Sequence, residues 1–253
     1  MRAEFSLGYR CGVIPMLDEG RHLRLPGTRN LRDVGGYPAA NGRVTRWRTL
    51  MRSDALDAIP TSSLEALRAL GLRTVVDLRW PHELVETPSA FAGGGDVRYW
   101  SIPLLEDDPT PLIGLAATYR LILDERGSQL TEVARVLLEP DGLPAVVGCA
   151  AGKDRTGVTI ALLLSAVGVP DDVIVADYVL TGTAFSDPVP GDPHLVDWRA
   201  SPIDLECPPE HMEALLDHLS IRHGGAQAFL RRNGLKRSET DMLVERLTEP
   251  GPG

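Results

Sequence analysis

One stretch of the sequence decides how the chain is organised: Val146-Val147-Gly148-Cys149-Ala150-Ala151-Gly152-Lys153-Asp154-Arg155-Thr156-Gly157. An apolar run typical of a buried strand ends at Cys149. Five residues separate this cysteine from Arg155, where a second apolar run, typical of a helix, begins. A dianion at the turn would face several backbone N–H groups, the positive end of the helix dipole and a guanidinium group. The stretch therefore predicts a strand–loop–helix unit that holds an oxyanion next to a thiol.

The bulk composition is that of an ordinary globular protein. The chain has 253 residues, of which 43% are hydrophobic and 24% charged, enough for one large domain or two small ones. No repeat or interdomain linker is evident, so we predict an N-terminal extension over residues 1–25 and one domain over residues 26–253. The net charge of −9 argues against a nucleic-acid partner, although a local basic pocket can still bind an anionic substrate.

The three cysteines, Cys11, Cys149 and Cys207, do not make a disulfide framework, which favours a reducing compartment. The apolar run at residues 12–17 is too short for a signal peptide. The run at residues 158–169 is too short to span a bilayer. We therefore expect a cytoplasmic protein without stable membrane insertion, with secretion without a signal peptide left open.

Predicted strands alternate with predicted helices, which indicates an α/β fold whose central, mostly parallel sheet is flanked by helices. Strands are predicted over residues 44–51, 74–78, 97–102 and 143–147. Helices are predicted over residues 62–70, behind a Ser62/Glu65 capping box, and over 112–123, 129–138, 155–167 and 170–180. Residues 81–95 are predicted to form a loop. Ligands bind beyond the carboxyl ends of parallel strands, where both Cys149 and Asp77 are expected.

The region from residue 182 to 209 has a different character. It is rich in proline and aspartate and has no hydrophobic period. An irregular stretch of this length in a compact domain is often a lid or a binding loop. Residues 210–248 return to helical patterns, the last of them behind a Ser238-x-x-Asp241 cap.

The motif specifies its own chemistry. A thiol attacks only as a thiolate, which is favoured at helix N-termini and beside cations, and Cys149 is expected to have both neighbours. The loop length suits about six backbone N–H groups around three phosphoryl oxygens. Arg155 would bind two of these oxygens, and Thr156 would hydrogen-bond the sulfur. The predicted phosphate-binding residues are Ala150, Ala151, Gly152, Lys153, Asp154 and Arg155, and the predicted reaction is phosphate-ester hydrolysis through a cysteinyl-phosphate.

The motif has two alternative interpretations, a structural cysteine and a nucleotide-binding loop. A lone buried cysteine is usually structural, but the full C-x5-R-[ST]-G string at a strand–helix junction favours catalysis. A nucleotide-binding P-loop needs four residues between its glycines and Ser or Thr after its lysine. Here only three residues lie between Gly148 and Gly152, and Asp154 follows Lys153, so the P-loop interpretation is excluded.

The segment Cys149-Ala-Ala-Gly-Lys-Asp-Arg-Thr-Gly157 resembles the C-x-x-G-K-D-R-T-G loop of the atypical bacterial and fungal tyrosine-protein phosphatases. Residues 30–37, 52–56, 76–79 and 176–178 also resemble that family, in the same order. The resemblance implies a single-domain tyrosine-phosphatase-like fold with a helical or loop lid, and a cysteinyl-phosphate mechanism. It implies that Lys153 contacts substrate phosphates, as in phosphoinositide phosphatases. One departure is Gly148, where the family usually has histidine.

The general acid has two candidates of nearly equal rank. Asp77 would protonate the leaving oxygen from the end of a neighbouring strand, or instead form an ion pair with Arg79. Asp154 would act from within the loop, or instead only shape it. Asp187 and Asp192 in the irregular segment are weaker candidates.

Four other residues have two possible roles each. Trp80 and Phe185 would line a substrate pocket or simply pack. Arg52 and Asp54 would support the loop or form a surface ion pair.

No metal and no cofactor is expected. The six histidines show no metal-ligand spacing, and His211 and His218 are predicted on the polar side of a helix. The expected partner is a phosphorylated protein, a lipid head group or a small phosphorylated metabolite. A catalytically weak phosphate-binding module is the remaining alternative, suggested by Gly148.

Overall fold

A computed structural model describes residues 20–106, 113–185 and 206–252. Its strands are β1 (Arg32–Asp33), β2 (Pro38–Ala39), β3 (Arg43–Thr45), β4 (Leu50–Ser53), β5 (Thr74–Asp77), β6 (Arg98–Ser101), β7 (Ala145–Gly148) and β8 (Thr248–Pro250). Its helices are α1 (Thr61–Ala69), α2 (Pro81–Glu86), α3 (Leu115–Glu125), α4 (Gly127–Leu138), α5 (Asp154–Ala166), α6 (Asp171–Ala184), α7 (Pro209–His223), α8 (Ala226–Arg232) and α9 (Arg237–Leu247).

The central sheet has five strands in the order β1-β4-β7-β5-β6. Strands β4, β7, β5 and β6 are parallel, and β1 is an antiparallel edge strand. Gly148 at the end of β7 lies opposite Ser53 on one side and Asp77 on the other. The prediction of a mostly parallel α/β sheet is confirmed, and the loop that begins at Cys149 leaves the sheet between two strand ends.

The apolar core lies on both faces of this sheet because alternate strand residues point to opposite sides. Val76 and Val147 belong to the larger core cluster, which includes the helix that follows the loop. Their neighbours Val75 and Val146 belong to a smaller cluster with Leu67. Helix α5 is buried along nearly its whole length, as its continuous apolar run predicts. The segment that carries the loop is therefore fixed at both ends by the core.

A second sheet, of order β2-β3-β8, corrects the prediction of one strand over residues 44–51. Val44 belongs to β3, whereas Met51 belongs to β4 in the central sheet. Between them Arg48 has a φ of 56°, a left-handed conformation that ends an extended strand. The alternating apolar pattern had concealed this break.

Helix α2 corrects the prediction of a loop over residues 81–95. Pro81 occupies the first turn, where its missing N–H costs nothing. A Glu83 carboxylate oxygen, Oε2, accepts the backbone N–H of Trp80 at 2.6 Å. A helix this short has no apolar period, so the hydrophobic pattern could not predict it.

Two predicted helix caps are also wrong. Helix α1 begins at Thr61 behind Pro60, with no side-chain cap from Ser62. Helix α9 begins behind Lys236, whose N–H is accepted by Glu239 Oε2 at 2.6 Å, so Ser238 is not the cap. In each case a neighbouring residue provides the start of the helix.

Most of the predicted lid falls outside the described residues. Helix α6 continues to Ala184 and α7 begins at Pro209, while Asp187, Asp192 and Cys11 lie in segments that are not described. The division into an extension, a domain and a lid stays a prediction. Within residues 20–106, 113–185 and 206–252, no helix combines the length and apolar character needed to cross a bilayer.

Candidate active site

The predicted strand–loop–helix unit is present: β7 ends at Gly148, Cys149 follows, and α5 begins at Asp154. The residues Cys149 and Arg155 are 2% and 7% exposed. Thr156 is fully buried, and its Oγ1 has no hydrogen-bond partner among the described residues. Its predicted bond to the Cys149 sulfur stays a prediction, with a buried hydroxyl in place for it.

Two glycines set the shape of the loop. Gly152 has a φ of 67°, and a Cβ there would lie 2.5 Å from the Ser53 carbonyl oxygen. Only glycine fits, for conformational and steric reasons together. A Cβ at Gly148 would lie 3.2 Å from the carbonyl oxygens of Ser53 and Asp54, which is tight but not prohibitive.

Neighbouring segments bind three consecutive carbonyls of the loop. Asn30 Nδ2 donates to the Ala151 carbonyl at 2.8 Å, and the N–H of Ala55 donates to Ala150 at 3.0 Å. Arg52 Nη2 donates to the Gly152 carbonyl at 2.6 Å. These contacts fix the backbone of the loop, as an anion-binding cluster of backbone N–H groups requires. Arg52 is 1% exposed, so it supports the loop and is not part of a surface ion pair.

Arg52 is itself held by a buried carboxylate. Asp177 Oδ2 lies 2.6 Å from Arg52 Nη1, and Asp177 Oδ1 lies 3.1 Å from Arg32 Nε. Tyr37 OH donates to the same Oδ1 at 2.9 Å. Burial raises the pKa of Asp177, but the two guanidinium groups outweigh it and hold that pKa below its usual range. The carboxylate is thus a fixed negative charge behind the loop.

Arg155 is oriented by a residue that sequence analysis missed, Glu83. Arg155 Nη1 and Nη2 lie 2.6 and 3.1 Å from the two Glu83 carboxylate oxygens. The guanidinium carbon lies 4.2 Å from the centre of the Trp80 ring. Burial lowers the pKa of Arg155, but the negative charges of Cys149 and Glu83 outweigh it and raise that pKa. The Trp80-Pro81 start of a helix was the signal that would have pointed to Glu83.

The loop carboxylate of Asp154 has one strong hydrogen bond. Tyr119 OH donates to Asp154 Oδ1 at 2.6 Å and also lies 2.9 Å from Tyr178 OH. The Asp154 side chain is 31% exposed, so the carboxylate also faces outward. Lys153 Nζ lies 3.5 Å from the same Oδ1 and donates to the Glu206 carbonyl at 3.2 Å. The Lys153 side chain is 2% exposed. Its contact with phosphate stays a prediction.

Asp77 forms an ion pair with Arg79, as its alternative interpretation predicted. Its two oxygens accept four hydrogen bonds from the N–H, Nε and Nη2 of Arg79, at 2.9–3.1 Å. Tyr99 OH donates to Oδ2 at 3.1 Å. The role of Asp77 or Asp154 as the general acid stays a prediction.

The model of the tyrosine phosphatase family matches residues 23–249 of the chain. The chain belongs to the tyrosine phosphatase family. It is a phosphoric monoester hydrolase of the protein-tyrosine-phosphatase class, for which a cysteine nucleophile is general. This confirms the family and the kind of enzyme predicted from the Cys149 loop.

Three relatives of this tyrosine phosphatase support the assignment. The triple specificity protein phosphatase PtpB of Mycobacterium tuberculosis is 33% identical in a match that covers 61% of this chain and 67% of PtpB. A putative tyrosine-protein phosphatase of Cupriavidus necator is 33% identical in a match that covers 64% of this chain and 63% of that protein. A tyrosine-protein phosphatase of Nostoc commune is 27% identical in a match that covers 85% of this chain and 79% of that protein. The chain thus spans about two thirds of the first two relatives.

A cleft of about 180 Å³ opens beside the loop of this phosphatase, next to Ala150. Glu83, Arg79 and Asp54 line it, whereas Phe185 does not. Asp54 accepts the backbone N–H groups of Arg29 and Asn30 at 2.9 and 3.1 Å. Burial nevertheless raises the pKa of Asp54 to about 6. The cleft is therefore lined in part by one basic group, Arg79, and by the acidic groups Glu83 and Asp54.

Proposed function

We propose that this phosphatase removes phosphate from phosphotyrosine in proteins through a cysteinyl-phosphate on Cys149. The observation that carries the proposal is the convergence of three features on one loop. A buried cysteine directly follows a central strand, and neighbouring segments donate hydrogen bonds to the carbonyls of residues 150–152. Arg155 is held in place by Glu83. Such a loop presents fixed N–H groups and a guanidinium group to three phosphoryl oxygens.

In the first step the Cys149 thiolate attacks phosphorus, and the bond from phosphorus to the leaving oxygen breaks. The sulfur–phosphorus bond forms at the same centre, so the phosphoryl group passes from substrate to sulfur. Negative charge on the equatorial oxygens is stabilised by the loop N–H groups and by Arg155. The leaving phenolate oxygen takes a proton from Asp154, which therefore ends the step as a carboxylate.

In the second step water attacks the phosphorus of the cysteinyl-phosphate. Asp154, now a carboxylate, takes a proton from that water, and the sulfur departs as a thiolate. Thr156 Oγ1, buried beside the loop, donates a hydrogen bond to the departing sulfur. Inorganic phosphate leaves, and both groups return to their starting states.

The choice of phosphoprotein as substrate is supported by the names of the relatives. Two of them are named as tyrosine-protein phosphatases and one as a triple specificity protein phosphatase. A phosphoinositide head group is the wider substrate that Lys153 suggests. A panel of phosphotyrosine, phosphoserine and phosphothreonine peptides with a soluble phosphoinositide separates these cases. We expect the highest kcat/KM on phosphotyrosine.

The nucleophile is tested by Cys149→Ser with p-nitrophenyl phosphate as substrate. We expect turnover to fall by at least about 1,000-fold, since removal of a nucleophile leaves only binding contributions. The matched control is Cys207→Ser, because burial raises the pKa of Cys207 to about 11 and keeps it a thiol. Turnover that survives in Cys149→Ser would exclude the thiolate mechanism.

The proton donor is tested by comparing Asp154→Asn with Asp77→Asn on two substrates. Phenyl phosphate has a poor leaving group that needs a proton, whereas p-nitrophenyl phosphate has a good one. If Asp154 is the donor, Asp154→Asn lowers kcat by about 100-fold on phenyl phosphate and much less on p-nitrophenyl phosphate. Asp77→Asn then lowers both rates alike. The reverse pattern would assign the role to Asp77.

A further inference from the structure

Helices α3 and α7 bring three potential metal ligands together, one of which is 94 and 99 residues away from the other two. Asp124 lies near the end of α3, and His218 and His223 lie on the last turns of α7. The Nε2 atoms of both histidines lie 2.9 Å from the same carboxylate oxygen, Asp124 Oδ1. Each residue offers one ligand atom, and these atoms all lie within 4.8 Å of one another.

Two of the three separations between ligand atoms approach the geometry of a zinc site, and the third, between the two Nε2 atoms, is within 4.8 Å. Ligands at about 2.0–2.1 Å from a tetrahedral Zn²⁺ lie about 3.3 Å apart. The two contacts of 2.9 Å from Nε2 to Oδ1 would therefore need to open by only a few tenths of an ångström. Two imidazoles and one carboxylate are a common protein ligand set for zinc, with water as the fourth ligand.

The surroundings hold the ligands while leaving room for water. The histidine rings pack edge to face with their centroids 5.4 Å apart, and His223 packs against Phe229 at 5.1 Å. The side chains of His218 and His223 are 21% and 11% exposed, whereas that of Asp124 is 43% exposed. The rings are thus fixed by packing, and the carboxylate side of the cluster faces solvent.

We propose that Asp124, His218 and His223 form a zinc site that cross-links helices α3 and α7. The site is distinct from the catalytic loop, but the cross-linked helix α3 also carries Tyr119, which donates to Asp154. A cation here would hold that helix against α7. The alternative is a pair of hydrogen bonds from the two histidines to one carboxylate.

Arg232 gives the proposal a second, independent consequence. Its Nη1 lies 3.5 Å from His223 Nδ1, and its Nη2 donates to the His223 carbonyl at 3.3 Å. When Nε2 binds a metal, Nδ1 carries the proton and needs an acceptor, which a guanidinium group cannot be. Arg232→Gln supplies an amide oxygen instead. We therefore expect this variant to bind Zn²⁺ about tenfold more tightly.

The experiment is a Zn²⁺ titration of the full chain in the Cys149→Ser background, which removes the active-site thiolate as a competing ligand. We expect one bound Zn²⁺ by competition with a chromophoric chelator. We also expect Tm to rise by about 5–10 °C at about 100 times the Kd. Co²⁺ in place of zinc should give visible tetrahedral absorption without a thiolate charge-transfer band. Neither readout depends on phosphatase activity.

The decisive variant is Asp124→Asn, since asparagine still accepts a hydrogen bond from an imidazole but is a poor zinc ligand. Asp124→Asn, His218→Gln and His223→Gln should each lose the bound Zn²⁺ and the rise in Tm. His82→Asn, an exposed histidine on α2, should keep both. Circular dichroism in the presence of a chelator checks that each variant is folded. Zinc binding that is equal in Asp124→Asn and its parent, or a thiolate band with Co²⁺, would overturn the proposal.

Discussion

At the scale of single residues, Arg155 uses only part of its hydrogen-bonding capacity on Glu83. A guanidinium group carries five N–H donors, and the Glu83 carboxylate faces its two terminal nitrogens. The Nε–H and the outer Nη–H groups remain for phosphoryl oxygens. The ion pair therefore orients the phosphate-binding group, and stacking on Trp80 limits its rotation. Burial raises the pKa of Glu83, but the hydrogen bonds and charge of Arg155 outweigh it and lower that pKa, so the pair is charged at neutral pH.

Replacing Glu83 by Gln should therefore impair catalysis. Without the opposing carboxylate, Arg155 loses its fixed orientation, and we expect kcat/KM on p-nitrophenyl phosphate to fall by about 10- to 100-fold. Glu65→Gln, at an exposed position of α1 that does not line the cleft, is the matched control and should stay near wild type. A rise in kcat/KM in Glu83→Gln would instead mean that Glu83 competes with phosphate.

Asp54 should make stability depend on pH in the direction opposite to most carboxylates. Its pKa is raised from 3.8 to about 6, so between these values the folded chain binds more proton than the unfolded chain. Stability from this group is therefore present at low pH and lost as pH rises through about 6. The loss is on the order of 3 kcal/mol.

The measurement is urea unfolding of wild type and Asp54→Asn at about pH 4.5 and about pH 7.5, on either side of the folded-state pKa. The wild type should lose about 2 kcal/mol more between the two values than the variant does, because about 1 kcal/mol of the total loss has already occurred at the lower pH, where the unfolded-state carboxyl is mostly ionised. Comparing the pH-dependent change in unfolding free energy of the two proteins cancels the effect of the hydrogen bonds from Arg29 and Asn30, which the substitution alters at both pH values. Equal pH dependence in both proteins would show that Asp54 does not titrate in this range.

At the scale of elements, the turn from β7 to α5 depends on Gly152, which tolerates a side chain less well than Gly148 does. Gly152→Ala places a Cβ 2.5 Å from the Ser53 carbonyl oxygen at a φ of 67°. We expect a loss of about 3 kcal/mol in unfolding free energy and near-complete loss of activity, because the loop N–H groups move. Gly148→Ala, whose Cβ would lie 3.2 Å from its neighbours, should cost about 1 kcal/mol. Thermal unfolding and turnover of both variants check this order, which equal losses would contradict.

At the scale of the whole molecule, Asp177 connects the edge of the sheet, its interior and the catalytic loop. It lies on α6 and binds Arg32 of β1 and Arg52 of β4. Arg52 in turn binds the Gly152 carbonyl. One carboxylate thus compensates two buried guanidinium groups that would otherwise be very costly to bury.

Asp177→Asn should therefore be among the most destabilising single substitutions in this chain. It leaves two buried cations without their counter-charge, and we expect a loss of about 3–5 kcal/mol in unfolding free energy. Urea unfolding provides the measurement. Asp96→Asn removes the exposed partner of Arg68 and should change stability by less than about 1 kcal/mol. A small effect at both positions would mean that Arg32 and Arg52 are solvated.

The sequence by itself determined the unit that we propose to be catalytic. The strand, the loop from Cys149 to Arg155 and the following helix are contiguous, so their order, spacing and apolar runs specify them without distant partners. The same is true of the parallel sheet, which follows from alternating strand and helix patterns. Only the tertiary structure decided which side chains complete that unit.

The reason is that these partners meet through packing and not through a local pattern. Glu83 reaches Arg155 from 72 residues away, and Asp177 reaches Arg52 from 125 residues away. Asp124 meets His218 across 94 residues, which is why histidine spacing alone could not point to the zinc site that we propose. A local period reports which face of an element is buried, whereas the angle and register between elements decide which polar groups on those faces come together.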